Sequence, residues 1–305
     1  MSPPAAAASL LVLPDELLED IFLRLDAMAD LARASAACTD FRRVVSARRF
    51  RRRLRSLRPA PVLGCLALYA PFEFRPAEPQ HRSAPAARAL AQAADFTFSF
   101  LPGGPNGWLA CDARDGRVLF YRLSFTAVFA DLVVCDPLHR RYVQLPPIPG
   151  TGCSGYKDLD PFLDPATDGE KEEEQDLPFR VICAVAQSQH EFVAFHFSSA
   201  TRIWFRTTFD WSTPLGQTMV EFFRLSDRRY AHGCFYWSFL GMGNLLILDT
   251  REMEFSVLDQ MPGRNADHQT HDIVEVGEGR LGIVSVADGI LELYSKALGK
   301  QKQWC

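Results

Sequence analysis

Few groups of side chains in this 305-residue sequence have the types and spacing that chemistry requires. The densest is Asp267-His268-Gln269-Thr270-His271-Asp272, two histidines at i, i+3 flanked by carboxylates, a donor set that suits zinc. The same run also reads as an ordinary polar loop, so no metal is assigned. His232 stands two residues before Cys234, and in an extended strand such residues share a face, which opens a thiol–imidazole pairing. Cys234 leads into Phe235-Tyr236-Trp237, however, a run with the composition of a core. Gly241-Met242-Gly243 lacks the third glycine and the following helix of a dinucleotide-binding loop. Neither a G-x-S-x-G elbow nor a P-loop is present. Trp108, Trp204, Trp211 and Trp237 either line a sugar or peptide groove or fill the core, and core packing is the default. No catalytic residue and no cofactor is assigned.

The elements that would position these groups fall into two contrasting parts. Residues 1–58 carry eleven arginines against seven acids, a charge of +4, while the remainder carries −8. The basic part includes Arg48, Arg49, Arg51, Arg52, Arg53 and Arg55, which read either as a nuclear-localisation or phosphate-binding patch or as a solvated helix face. Phe50, Leu54 and Leu57 follow at i, i+4, i+7 and favour the helix face. With an isoelectric point near 6.0 for the whole chain, no nucleic-acid partner is expected. No run approaches the ~18 apolar residues of a membrane span, and no membrane partner is expected. The eight cysteines are scattered without a C-x-x-C pair, which fits a reducing compartment, cytoplasmic and/or nuclear. The Ala-rich start has no preceding Lys or Arg and reads as a disordered leader over 1–11 rather than a secretory signal.

Helical periodicity covers residues 12–57. Leu13-Pro14-Asp15-Glu16 opens a helix, with the acids complementing the positive end of its dipole. Leu17, Leu18, Ile21, Phe22 and Leu25 give it a broad apolar face. A break over Asp26–Asp30, a short helix over Leu31–Ala37 and a third helix capped by Thr39 and carrying Phe41, Val44 and Val45 follow.

After Pro59 the period changes to two. Strands are expected at Val62–Tyr69, Phe96–Phe100, Trp108–Cys111, Val118–Arg122, Leu132–Cys135, Arg141–Leu145, Arg180–Ala186, Phe192–Phe197 and Arg202–Thr208. The series continues with Gly233–Phe239, Leu245–Asp249, Glu254–Leu258, Asp272–Val276, Leu281–Val286 and Ile290–Tyr294, with no helix of comparable length between them. Asp115-Gly116 marks a two-residue hairpin. A strand–turn–strand scheme, Cys135-Asp136-Pro137 to Leu145-Pro146-Pro147, recurs at Leu248-Asp249-Thr250 to Met261-Pro262 and points to propeller blades, with a sandwich as the alternative. At the residues-per-blade of known repeats, the β part over 59–295 holds about five or six. Asp158 to Asp176, nine acids against Lys171, reads as an exposed disordered insertion, and 296–305 as a polar tail.

The run Leu13-Pro14-Asp15-Glu16-Leu17-Leu18-Glu19-Asp20-Ile21-Phe22-Leu23-Arg24-Leu25, with its spacing to Leu31 and to Ala37-Cys38-Thr39-Asp40-Phe41-Arg42, resembles an F-box. The β part resembles the associated domain of a large plant F-box family through Val134-Cys135-Asp136-Pro137, Arg140-Arg141-Tyr142, Leu145-Pro146-Pro147-Ile148-Pro149, His232-Gly233-Cys234-Phe235-Tyr236-Trp237, Leu248-Asp249-Thr250, Met253-Glu254-Phe255 and Glu275 to Gly282. The sequence departs from that family at Asp26, where it usually has Pro, at Cys38-Thr39, where it has Ser-Lys, and at Phe41, where it has Trp. The family's β domain also usually runs on beyond the equivalent of Tyr294, which implies an incomplete propeller with an exposed edge guarded by Lys296, Lys300 and Lys302.

The resemblance implies an α+β chain of separate domains, a small all-α F-box module and an all-β propeller-like domain. It implies a non-catalytic substrate receptor of a Skp–cullin–F-box ubiquitin ligase, partnered by a Skp-type adaptor, through it by a cullin scaffold, and by an unknown target protein. Carried onto this sequence, the adaptor-binding residues are Leu13, Pro14, Leu17, Leu18, Ile21, Leu25, Leu31, Phe41 and Arg42. The alternatives are a glycan- or peptide-binding module outside any ligase, and a propeller-type enzyme.

Overall fold

The computed structural model describes residues 13–25, 28–58, 61–122, 131–149, 157–164, 179–186, 191–210, 228–238, 245–258, 270–277, 280–287 and 290–297. The chain divides into a helical unit, Met1–Leu63 with Gln80–Ser83, and a β unit, Gly64–Pro79 with Ala84–Cys305.

The helical unit holds α1 (Asp15–Leu23), α2 (Met28–Ala37), α3 (Thr39–Ser46) and α4 (Arg48–Leu57). Pro14 stands immediately before α1, and its carbonyl accepts the Leu17 and Leu18 N–H groups at 3.1 Å. Leu18, Phe22, Leu31, Val44, Phe50 and Leu54 form the core. Phe41 and Phe50 each meet Phe22 edge-on, at 5.2 and 6.4 Å between centroids. Three expectations change here. Helix α2 starts at Met28, inside the expected break. Cys38 rather than Thr39 caps α3, its Sγ accepting the Phe41 N–H at 3.4 Å. Leu57 is exposed, so only two residues of the α4 stripe are buried.

The β unit opens with β1 (Gly64–Leu66) paired to β2 (Phe74–Pro76), then α5 (Ala84–Ala93). Three four-stranded antiparallel meanders follow: β3 (Leu109–Arg114) to β6 (Arg141–Gln144) by way of β4 (Arg117–Arg122) and β5 (Asp131–Asp136); β7 (Lys157–Asp164) to β10 (Ile203–Asp210) by way of β8 (Arg180–Ala186) and β9 (Glu191–Ser198); and β11 (Arg229–Ala231) to β14 (Glu254–Leu258) by way of β12 (Cys234–Ser238) and β13 (Leu245–Asp249). A three-stranded sheet, β15 (Thr270–Val276), β16 (Arg280–Ala287) and β17 (Ile290–Ala297), ends the series. The result is an incomplete propeller-like array, not closed into a barrel. Among the described residues it has four blade-like sheets instead of the expected five or six.

Strand alternation explains how the sheets stack. Leu119, Leu132 and Val134 of the first sheet meet Val181, Cys183 and Phe195 of the second. Ile182, Ala184 and Phe162, on the other side of the second sheet, meet Phe235, Trp237 and Leu248 of the third. Tyr236 and Leu245 of the third meet Leu281 and Ile283 of the last. A sheet covered on both faces needs near-continuous apolar runs, and Arg180–Ala186, with residues 181–185 all buried, is one.

Four segments correct the sequence reading. Residues 158–164 are not an exposed loop: they belong to β7, and 161–164 are buried. The acids there raised the apparent polarity, yet Asp160 and Asp164 are paired with arginines. Pro161 is tolerated because β7 is an edge strand. Residues 165–176 lie outside those described. Phe96–Phe100 forms turns rather than a strand, with Phe98 at φ 52°. Its aromatics join Phe72, Leu101 and Trp108 as a cover over the outer face of the first sheet. Val62–Tyr69 contracts to β1. Helix α5, unexpected, buries only the small Ala84 and Ala87, so no stripe of large apolar residues announces it.

Turn chemistry does hold. Asp115 and Gly116 both have positive φ, as a type I′ hairpin requires, and His232-Gly233 repeats that geometry between β11 and β12.

The last sheet ends differently from the first. Strand β17 pairs with β16 alone among the described residues. On the face turned from the third sheet, Leu293, Val274 and Val276 converge over Gly282, where an added Cβ would lie 2.5 Å from Val276 Cγ2. Leu291 is 69% exposed beside them. Outward-pointing amides of Ile290–Tyr294 are therefore expected to exchange orders of magnitude faster than those of β16, which is paired on both sides. Hydrogen exchange by mass spectrometry or NMR checks this; uniform protection through Tyr294 would show that the edge is covered.

Candidate functional site

Two regions hold the candidate residues. In the helical unit, α1 is held from behind by charge pairs. Arg53 donates to Glu19 at 3.0 Å and to Asp20 at 2.8 Å, and Arg49 lies 3.5 Å from Glu19. Arg58 donates to the Leu23 carbonyl at 2.8 Å. At the other end Arg43 grips Asp15, with one bond at 2.9 Å, and that hydrogen bond holds the Asp15 carboxyl below its ordinary range. Arginines 49 and 53 of the basic helix are thus engaged on α1.

This bracing leaves one side of α1 free. Pro14, Leu17 and Ile21 are spaced i, i+3, i+7 and all are exposed, Leu17 by 50% and Ile21 by 40%. Arg42 is exposed as well. Leu18 and Leu31, expected at a docking surface, lie instead in the unit's own core, each 3% exposed. They pack inside the module in this structure. Leu13, Leu25 and Phe41 are half-buried against the same core. The face is broader in sequence than in space because the unit itself covers one half of it.

In the β unit the groups that suggested chemistry are otherwise engaged. Trp108, Trp204 and Trp237 are buried in the cores, and Trp211 lies outside the described residues. Trp204 Nε1 donates to the Pro146 carbonyl at 2.8 Å. His232 Nε2 sits 2.9 Å from the Arg280 carbonyl, and burial pushes the Cys234 thiol up, away from a reactive thiolate. Burial raises the Cys111 and Cys183 thiols much further. Of the zinc candidate, residues 267–269 lie outside the described set and Asp272 pairs with Arg229. Among the described residues no group of three or more His, Cys, Asp or Glu is placed to hold a metal. No helix among them is long and apolar enough to cross a membrane.

Sequence reasoning missed the polar groups that link the first strands of the sheets. Arg228 bonds Asp160 and lies 3.7 Å from Asp112. Trp237 Nε1 donates to Asp160 at 2.9 Å, and the Leu163 N–H donates to Asp112 at 2.9 Å. The Arg228 guanidinium also stacks 4.6 Å from the Phe162 ring. Acids embedded in a strand that otherwise reads apolar were the available signal.

Asp164 forms a second node. Its side chain is fully buried, and burial outweighs the nearby Arg180 and Arg114 to raise its carboxyl to about 6. A folded value above the unfolded one makes its stabilising contribution complete below about pH 4 and lost as pH rises to about 6. That loss is on the order of 3 kcal/mol. Asp164→Asn abolishes it, so the stability gap between wild type and variant is expected to shift by that order between pH 4 and pH 7. Urea unfolding at both pH values measures the shift; a constant gap would contradict it.

Comparison with known proteins adds one family. Residues 10–56 match the F-box-like family, so the helical unit is an F-box-like domain and supports an F-box protein. No curated protein matches the chain. Among solved structures the chain is similar to a member of the DUF4221 family from Bacteroides vulgatus, at 11% identity and TM-score 0.33, covering 61% of this chain and 57% of that one. It is also similar to Bacteroides ovatus GH43B from a xyloglucan locus, at 12% identity and TM-score 0.28, covering 63% and 39%. A prolyl endopeptidase aligns at 12% identity and TM-score 0.28, covering 81% and 46%. The chain therefore spans about half the length of these structures, and no activity carries over at that distance.

Proposed function

We propose that this chain is a substrate-recognition subunit of a Skp–cullin–F-box ubiquitin ligase, of the plant F-box family with an associated β domain, acting in the cytoplasm and/or nucleus. The observation that carries the reading is the exposed Pro14–Leu17–Ile21 stripe on α1 of an F-box-like domain. That stripe is the adaptor-binding surface in this reading, together with the exposed Arg42. The β unit holds a target protein, and the adaptor links the pair to a cullin scaffold.

No residue of the chain performs chemistry in this role. The gain is proximity: holding a target beside a ubiquitin-loaded enzyme turns a bimolecular transfer into an effectively intramolecular one. The broad charge contrast between the two parts of the chain fits two partners of different character. The glycan-groove alternative loses three of its four tryptophan walls to the core. Comparing ubiquitinated proteomes with and without the protein tests the assignment. Proteins whose modification disappears with it are its targets; an unchanged ubiquitinated proteome would contradict the reading.

A further inference from the structure

The four blade-like sheets are not equal. The first three have four strands each, while the last has three among the described residues. In each complete sheet the fourth strand runs antiparallel to the third: β6 on β5, β10 on β9 and β14 on β13. The position equivalent to theirs lies along the outer edge of β17, and an antiparallel strand fits it.

That edge is suited to receive one. Strand β17 pairs with β16 in unbroken register from Ile290 to Ala297, so its outer side presents a continuous row of N–H and C=O groups. Ile290, Leu291 and Leu293 are each more than half exposed. The strands β6, β10 and β14 belong to sheets with buried clusters on both faces. No such cluster lies on the face of the last sheet turned from the third, so an incoming strand reaches β17 without passing between two sheets.

Hydrogen bonding limits how a strand meets its own copy. In an antiparallel pair the residues whose backbone groups point outward oppose one another. The two-fold axis relating two copies of β17 therefore falls on a residue, and each face meets the same face. Charge selects the residue. With the axis on Tyr294, Glu292 of each copy lies opposite Lys296 of the other, and Leu293 lies opposite Ser295. An axis on Glu292 or on Lys296 sets like charges against each other. An axis on Leu293 places Lys296 opposite Ile290, and one on Ser295 places it opposite Tyr294. Opposite charges across a strand pair are favourable and like charges unfavourable, so the Tyr294 register stands alone. The Tyr294 O–H donates to Glu292 Oε2 at 2.7 Å, which keeps that carboxylate on the shared face.

We propose that β17 is a self-association edge. Two copies of this chain pair antiparallel through β17 about an axis at Tyr294, and each supplies the fourth strand of the other's last sheet. The contact is the same patch on both copies, so it closes at the dimer. It stands independently of the receptor reading; under that reading it joins two F-box-like domains in one assembly. The fast exchange expected of the β17 edge is that of the separated chain at high dilution.

Analytical ultracentrifugation of the full-length chain over about 1 to 300 µM tests the proposal. A reversible monomer–dimer equilibrium is expected, because one strand pair makes a small interface. Glu292→Lys and Lys296→Glu each set like charges opposite one another twice, and each alone is expected to weaken the dimer about tenfold or more. Mixing the two variants pairs opposite charges again, as does combining both changes in one chain, and association is expected to return in both cases. Unchanged melting of the variants excludes unfolding as the cause. Exchange at the outward amides of β17 is expected to slow as concentration rises. A monomer throughout, association that grows past the dimer, or a dimer indifferent to these charges would overturn the proposal. Full protection of β17 in the dilute monomer would also overturn it, since the chain itself then fills the fourth position. Ile21→Asp is expected to dimerise normally, and the β17 variants to capture adaptor normally, so the dimer and the ligase reading fail separately.

Discussion

Ile21→Asp abolishes capture of a Skp-type adaptor while both units stay folded: this is the expected result at the helical unit. Ile21 is already 40% exposed, so the unit loses little when it changes. An adaptor that covers it loses the remaining apolar burial, about 1 kcal/mol, and must desolvate an unpaired carboxylate, about 3 kcal/mol or more. A total of about 4 kcal/mol weakens binding on the order of a thousandfold. Leu18→Ala is the contrasting control. Leu18 lies in the core with Phe22 and Phe50, so its truncation costs about 2–5 kcal/mol of the unit's own stability and acts on binding only through unfolding. Pull-downs paired with circular dichroism separate the two effects. Normal adaptor capture by Ile21→Asp would remove α1 from the interface.

Arg228→Ala is expected to cost the β unit about 3–5 kcal/mol. Arg228 is 13% exposed and neutralises Asp160 while facing Asp112, and it stacks on Phe162 between the second and third sheets. Removing it leaves Asp160, which burial already pushes toward its protonated form, with the Trp237 N–H as its remaining hydrogen-bond partner among the described residues. Deleting both charges avoids an orphan, so Arg228→Met with Asp160→Asn should recover much of the loss. Urea unfolding followed by tryptophan fluorescence reads both variants. A loss under about 1 kcal/mol for Arg228→Ala would mean that the pair is incidental.

The meanders were legible because burial on both faces leaves a strong mark. Arg180–Ala186 and Leu245–Asp249 are short apolar runs, and Asp115-Gly116 states its turn type outright. Strand β7 was hidden because its carboxylates look like solvent-facing charge until the arginines that meet them, 16 and 68 residues away, are placed. Distant pairing of this kind has no local signature. Helix α5 was hidden for the opposite reason, since alanines pack closely without forming a visible stripe. At the candidate site, periodicity gave the width of the apolar face of α1 but not its division. Leu17 and Ile21 lie on one side and Leu18 and Phe22 on the other, and only the packing of α3 and α4 shows which side the unit itself covers. Arg114 and Asp164 come together through sheet stacking, so nothing in their spacing of fifty residues marks them as neighbours.

Titration of a purified Skp-type adaptor into the full-length chain by calorimetry tests the central claim most directly. Saturable binding with one adaptor per chain, in the micromolar range or tighter and lost in Ile21→Asp, is the predicted result. An absence of heat at high adaptor concentration, from a chain whose helical unit is shown to be folded, would contradict it.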